Sequence, residues 1–328
     1  MNFKCAIVIG SNSFSGSSYI NFLLNKGFRV VGISRSKLPN EMYLRFNSKD
    51  KKFIFKKLDI NKNVKTILKL VKYYNPRYII NYAAQSMVGE SWINPDDWLF
   101  TNSFGLPRLY NEIFKLNKKI RFVHISTPEV YGSVKNKIQE NENYNPSTPY
   151  AVSRVTADQY LKIMFKEKKL NFVSVRAANV YGETQRLYRI IPKTVGYCIE
   201  GKKIALDGGG KSVRSFINID DVSYATYLVM KKGKSGNIYH ITNEEMISIK
   251  KLVKKICILL GRKFDQMVVI SSDRIGKDSS YDMSSRKLRK LGWRSTVCLD
   301  AGISRIINWY KKNRKKIKDI DYRYCHKE

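Results

Sequence analysis

Phe3-Lys4-Cys5-Ala6-Ile7-Val8-Ile9-Gly10-Ser11-Asn12-Ser13-Phe14-Ser15-Gly16 is an apolar run that stops at a glycine-bracketed turn. The unbroken Ala-Ile-Val-Ile core of that run reads as a strand buried on both faces, because a half-exposed strand would alternate with polar residues. Gly10 to Gly16 then form a tight turn that opens a helix ending at Gly27. A helix entered this way offers unpaired N–H groups and the positive end of its dipole to a phosphate. Gly10, Ser11, Asn12, Ser13, Phe14, Ser15 and Gly16 are therefore the candidate cradle for the pyrophosphate of a dinucleotide. The usual three-glycine fingerprint has glycine where this chain has Ser13, so the pair of glycines carries the reading through its place after an N-terminal strand.

Working outward, strand-like runs at 3–9, 28–33, 78–82, 122–125 and 172–176 alternate with helical patterns at 19–24, 64–72 and 98–114 and with a long helix from Pro149. Continuous apolar strands separated by helices predict an α/β fold, a Rossmann-type doubly wound parallel sheet with 172–176 as its closing strand. Residues 1–178 form the dinucleotide-binding domain, with later segments returning to it. Beyond Asn179 the alternation becomes irregular, and 179–328 is expected to be mainly a smaller C-terminal substrate-binding lobe.

The second strand ends in Ser34-Arg35-Ser36-Lys37. An acid at this point would hold a ribose 2′-hydroxyl, whereas hydroxyls and a guanidinium suit a 2′-phosphate, so NADP is favoured and NAD is the other candidate. Asp59-Ile60, after the third strand, is placed to touch the adenine; as an ordinary helix cap the same pair would need no ligand.

The net charge of +34 invites a nucleic-acid reading. Lysine and arginine, however, are spread along the whole chain. Only Lys311-Lys312-Asn313-Arg314-Lys315-Lys316 is a basic run, and it reads as a solvated helix end. No nucleic-acid partner is expected; the basic surface suits a small anionic substrate. No apolar run approaches the ~20 residues of a membrane span, and no targeting segment precedes the first strand. Cys5, Cys198, Cys257, Cys298 and Cys325 are scattered and never in a CxxC spacing, which points away from disulfides and zinc and toward a reducing cytoplasm. His124, His240 and His326 share no metal spacing; no metal is assigned.

Further along stand Asn81-Tyr82-Ala83-Ala84-Gln85-Ser86, Ser126-Thr127-Pro128-Glu129-Val130-Tyr131-Gly132, Tyr150-Ala151-Val152-Ser153-Arg154, Arg176-Ala177-Ala178-Asn179-Val180-Tyr181-Gly182, Arg214-Ser215-Phe216-Ile217, Asp220-Asp221-Val222 and Leu291-Gly292-Trp293. In this order, and with the glycine turn, they resemble the extended short-chain dehydrogenase/reductases that modify NDP-sugars, over nearly the whole chain. Thr127-Pro128-Glu129 is most similar to the Thr-x-Glu segment of sugar-nucleotide 4,6-dehydratases, and the Arg35 turn to that of GDP-mannose 4,6-dehydratase. The resemblance implies a lyase with internal hydride transfer, turning an NDP-hexose into its 4-keto-6-deoxy derivative for deoxysugar biosynthesis.

It also implies roles. Tyr150 is the base for the sugar 4-hydroxyl, with Thr127 bonded to the same oxygen and Arg154 as the cation that acidifies the phenol. Glu129 is the base at C5. Tyr82, Ala83, Ala84, Gln85 and Asn102, with Tyr150 and Arg154, face the cofactor; Ser86, Thr127, Pro128, Glu129, Asn179, Arg189, Arg214, Arg274 and Asp278 face the nucleotide sugar. Two departures stand out. The family's cation is lysine, not Arg154, and the acid that helps water leave is the residue that here is Pro128, which has no proton to give. Rival readings are a 4-epimerase or decarboxylase on the same scaffold, or a non-catalytic polyanion-binding protein with a degenerate site. The stripe Trp98, Phe104, Leu106, Leu109 and Phe114, paired with the Tyr150 helix, suggests a homodimer contact, unless it packs on the sheet.

Overall fold

The computed structural model describes residues 4–134, 136–272, 282–318 and 320–326. Its strands are β1 (Cys5–Ile9), β2 (Arg29–Ser34), β3 (Phe53–Lys57), β4 (Tyr78–Asn81), β5 (Arg121–Ile125), β6 (Phe172–Ala177), β7 (Asn179–Tyr181), β8 (Ile204–Asp207), β9 (Val213–Asn218), β10 (Asn237–Ile241), β11 (Met246–Ser248) and β12 (Val268–Ser271). Seven form one parallel sheet in the order β10-β6-β5-β4-β1-β2-β3. The period-2 alternation of β1 sends Ala6 and Val8 into one apolar layer and Ile7 and Ile9 into the other. Both faces are covered, as the unbroken apolar strands require.

The helices are α1 (Phe14–Asn25), α2 (Val64–Tyr74), α3 (Val88–Ile93), α4 (Pro95–Trp98), α5 (Leu106–Leu116), α6 (Pro149–Lys168), α7 (Ile190–Glu200), α8 (Ile219–Lys232), α9 (Ile249–Leu259), α10 (Phe264–Met267), α11 (Arg286–Arg289) and α12 (Leu299–Ile317). Strand order reverses between β1 and β4, so their carboxyl ends open a crevice where the chain leaves in opposite directions. After β6 the chain builds a three-stranded sheet β11-β9-β7 and a two-stranded sheet β12-β8. The first packs with α7, α9 and α12 around Tyr181, Ile191, Phe216, Leu252 and Ile303, and the second with α7, α9 and α10 around Cys198, Ile204, Leu206, Val253 and Met267.

Two expectations need correcting. Strand β6 does not close the sheet: β10 pairs outside it, with Tyr239 against Val175, and α8 lies against α1 on the same sheet. Asn237-Ile238-Tyr239-His240-Ile241 is short and falls in the irregular half of the pattern, so its membership was hidden. The expected helix over 98–114 is also interrupted, since Leu99–Gly105 is π-helical between α4 and α5. The expected apolar stripe divides there. Trp98, Leu106, Leu109 and Phe114 are buried within the chain, the last three of them in the layer against the sheet. Phe104 is 51% exposed, beside Leu99 and Phe100.

Among the described residues no helix is long and apolar enough to cross a membrane, and no group of three or more His, Cys, Asp or Glu is placed to hold a metal. The cysteines are free thiols.

Candidate active site

The crevice between the carboxyl ends of β1, β2 and β4 is lined by Gly10, Ser13, Ser34, Arg35, Asp59, Ile60, Tyr82, Ala83, Ala84 and Gln85, together with Leu58, Asn61 and Thr101. Gly10 sits at φ +79°, and a Cβ there would lie 2.5 Å from the Ala83 backbone nitrogen, so only glycine lets the β1 and β4 turns approach this closely. Ser13 does the work of a missing glycine from inside the turn. Its Oγ donates to the Gly10 carbonyl at 2.7 Å and accepts from the Gly16 N–H at 3.0 Å, capping α1. Those bonds hold the hydroxyl within the turn.

Several other residues expected to face the cofactor have side chains engaged within the protein. The Asn12 amide donates to the Ser36 carbonyl (2.9 Å), the Ser36 hydroxyl (3.2 Å) and the Lys37 carbonyl (2.8 Å), which fixes the turn that carries Arg35. The Phe14 ring lies by Gly182, where a Cβ would meet it at 3.4 Å. Asn102 is fully buried; its Oδ1 accepts from the Gln85 N–H, and its amide donates to the Gln85 carbonyl and to Ser153. It clamps the Gln85 backbone from below. Ser11, Ser15 and Gly16 shape the turn without lining the cleft. Asn61 and Thr101, bonded to each other at 3.1 Å, were missed by the sequence reading; Asn61 directly follows Asp59-Ile60 and could have been reached by extending that run.

The catalytic candidates converge on one phenol. Thr127 caps a short 3₁₀ turn, Pro128–Tyr131, by accepting from the Glu129 N–H at 3.3 Å. Proline suits the first position of such a turn, where its missing N–H has no partner to lose. Tyr150 is the second residue of α6, which Thr148 caps through the Ala151 N–H. Spacing of four puts Arg154 on the same face of α6 as Tyr150. Burial pushes the Tyr150 phenol above its ordinary pKa, while the Arg154 guanidinium, a hydrogen bond with Thr127 and the Arg189 guanidinium pull it down, and Glu129 opposes them. Every group assigned to the reaction thus acts on this oxygen, with Arg189 as a second cation.

Arg154 is itself 1% exposed. Its Nη2 donates to the Ile125 carbonyl and lies 3.3 Å from His124 Nε2. Nε and Nη1 are buried without a hydrogen-bond partner among the described residues. Orphaned charged donors in a protein interior cost several kcal/mol, on the order of 1–3 each even when neutral, unless a ligand satisfies them. A dinucleotide's ribose, rich in oxygen acceptors, fits them. Of the substrate candidates, Asn179 begins β7, Arg214 is buried on β9, Arg189 stands exposed at the N-cap of α7, and Ser86 is exposed on the loop after β4. Arg274 and Asp278 lie outside the described residues.

Residues 7–306 match the model of the GDP-mannose 4,6 dehydratase family. The chain belongs to that family. Human dTDP-D-glucose 4,6-dehydratase is 32% identical over 250 residues, covering 74% of this chain and 71% of that one. The dTDP-glucose 4,6-dehydratase of Streptomyces venezuelae, solved with NAD bound, superposes with a TM-score of 0.89 at 27% identity, covering 95% of this chain and 98% of that one. UDP-glucose 4-epimerase of Thermotoga maritima, solved with UDP-glucose, superposes at 0.86 with 25% identity, covering 94% and 99%. This chain is an NDP-sugar 4,6-dehydratase of the extended short-chain dehydrogenase/reductase kind.

Proposed function

We propose that this dehydratase converts an NDP-hexose to its 4-keto-6-deoxy derivative, with Tyr150, Thr127, Glu129 and Arg154 as its working groups and NADP as its preferred cofactor. The observation that carries the reading is the convergence of Thr127, Arg154, Glu129 and Arg189 on the Tyr150 phenol. Tyr150 takes the proton of the sugar 4-hydroxyl, and Thr127 holds the same oxygen. An ordinary phenol, with pKa ~10, is too weakly acidic for this at neutral pH, and burial makes matters worse. The two guanidiniums offset that. A nicotinamide dinucleotide held by Arg154 and the glycine turn would supply the acceptor and donor of the hydride that moves from C4 to C6.

With C4 a ketone, the C5 proton is acidic enough for a carboxylate. Glu129 removes it and, because Pro128 has no proton to offer, gives that proton to the departing C6 hydroxyl, which leaves as water. The proton first taken by Tyr150 balances the one restored to C5. A 4-epimerase has no use for a C5 base, so Glu129 favours dehydration over that rival.

Ser34 and Arg35 line the cleft at the end of β2 with no acid between them, which supports the 2′-phosphate of NADP. Asn179, Arg189 and Arg214 are assigned to the nucleotide sugar, the arginines to its diphosphate. The exposed Leu99, Phe100 and Phe104 of the π-helical segment lie beside Val152 of α6, and this apolar face supports a homodimer.

The deciding experiment is Glu129→Gln. The reading expects oxidation at C4 to proceed while water loss stops, so reduced cofactor accumulates in its near-ultraviolet absorbance and no dehydrated product appears by mass spectrometry. A variant that still releases a product lighter by one water removes Glu129 from the role.

A further inference from the structure

Behind the Tyr150–Arg154 pair lies a buried cluster that the reaction as described does not use. His124 of β5 is fully buried. Its Nε2 lies 3.3 Å from Arg154 Nη2 and 3.4 Å from Asp158 Oδ1, while its Nδ1 is 2.9 Å from the Tyr110 hydroxyl. Arg154 and Asp158 are four apart on α6, the spacing at which an arginine and a carboxylate pair on a helix. Yet among the described residues they form no ion pair within 4.0 Å. Asp158 instead accepts from Ser126 at 2.7 Å and pairs with Arg176 at 2.7 Å.

We propose that His124 is a positioning residue: a neutral wedge that keeps the Arg154 guanidinium off the Asp158 carboxylate and so preserves its charge for Tyr150. This rests on the reading of Tyr150 as the base. A guanidinium can only donate and a carboxylate can only accept, and His124 Nε2 stands between the two, 3.3 Å from Arg154 Nη2 and 3.4 Å from Asp158 Oδ1. Burial, despite the nearby carboxylate, pushes His124 below its ordinary pKa and keeps it neutral. The cluster holds two guanidiniums, Arg154 and Arg176, against the one Asp158 carboxylate.

Were the wedge removed, the shortest path to satisfying the buried Arg154 would be Asp158 Oδ1, the carboxylate oxygen that Ser126 and Arg176 leave open. That contact would neutralise the cation that Tyr150 depends on. Arginine needs such a device more than lysine does, because its rigid fork presents several donors at once, one of which can reach the open carboxylate oxygen while another stays on the Ile125 carbonyl. The lysine-to-arginine exchange is in this sense tied to the residue that faces it from β5.

The test is His124→Leu, with His124→Gln as the conservative partner, since an amide can accept from Arg154 and donate to Asp158 at once. Tyr150 is followed in two ways: by the acid-side limb of the kcat/KM profile, and by carbon NMR of ring-labelled tyrosine in the unloaded protein, assigned with Tyr150→Phe. The expected result is an upward shift of about one pH unit in His124→Leu, a tenfold loss of phenolate at a given pH. His124→Gln should reverse most of it, and His124→Leu should move nothing further in an Arg154→Met background. Lower activity with both titrations unmoved, or an equal shift without Arg154, overturns the proposal. If the acid-side limb persists in Tyr150→Phe, the base assignment fails by itself, and the NMR titration alone decides the wedge. Should His124→Leu not fold, Tyr110→Phe, which removes only the bond at Nδ1, is read by the same criteria with a smaller shift expected.

Discussion

Replacing Arg154 with methionine tests the centre of the site, and its size can be worked out beforehand. Side chains four apart on a helix lie roughly 5–6 Å from each other. A unit charge at that distance, in an effective dielectric of about 20, stabilises a phenolate by roughly 3 kcal/mol, or about two pKa units. Arg189 remains as a cation in Arg154→Met, so the acid-side limb of kcat/KM, where the base loses its proton, should move up by about one to two units. At neutral pH that is a 10- to 100-fold loss. Methionine keeps the length of the buried stem, and it removes two buried N–H groups that have no protein partner. Stability should therefore hold or rise while activity falls, because replacing an uncompensated buried charge by apolar surface is favourable. The assay is a pH–rate series at saturating cofactor beside urea unfolding of the same variant, with cofactor affinity measured by titration. Arg154→Lys keeps the charge and should retain much of the activity. An Arg154→Met enzyme with the parent's acid-side limb and the parent's cofactor affinity would refute the electrostatic account of Tyr150.

Two further outcomes are expected. Arg35→Ala should weaken NADP about 10- to 100-fold and leave NAD nearly unchanged, the value of a charge-assisted phosphate contact being on the order of 1.5–3 kcal/mol; equal affinities in the parent, measured by titration, would remove the preference. Acid stability should depend on His240, which is fully buried across from Arg176 on β6 and held by burial and that guanidinium at a pKa of about 3. Its folded value lies below the unfolded ~6.5, so the unfolded chain binds the proton first, and stability present above pH 6.5 drains away as pH falls toward 3. At pH 4 the loss is roughly 3 kcal/mol by that linkage, and urea midpoints for the parent and His240→Leu should show a flatter pH slope in the variant; parallel slopes would assign the acid sensitivity elsewhere.

The parallel sheet was legible because each central strand is apolar on both faces, and the nucleotide end because a glycine turn and the β2 terminus lie within a few residues of the strands that position them. Gly10, Ser13, Ser34, Arg35, Asp59 and the Tyr82–Gln85 stretch line one cleft for that reason. Local pattern misled where a side chain's partner was distant. Asn12 and Asn102 sit in cofactor-type positions in sequence, but their amides are consumed by Ser36 and Lys37 in one case and by Gln85 and Ser153 in the other. The stripe from Trp98 to Phe114 has helical spacing, but the π-helical insertion rotates Phe104 away from the residues that reach the sheet.

The departure at Arg154 shows the limit most clearly. From the sequence, an arginine in place of lysine could equally be an adapted site or a decayed one, since the spacing to Tyr150 is the same in both. The difference lies in what surrounds the guanidinium, and that comes from three separate elements. The carbonyl of Ile125 and the imidazole of His124 arrive on β5, the hydroxyl that orients the imidazole arrives on α5, and the arginine that occupies Asp158 arrives on β6. A decayed site has no reason to keep the neighbouring carboxylate engaged elsewhere. Here Asp158 Oδ2 is committed to Arg176 and Ser126 while its Oδ1 faces His124, Arg154 is held at one end only, and its two remaining buried donor nitrogens are left for a ligand. Adaptation is the reading that accounts for all three.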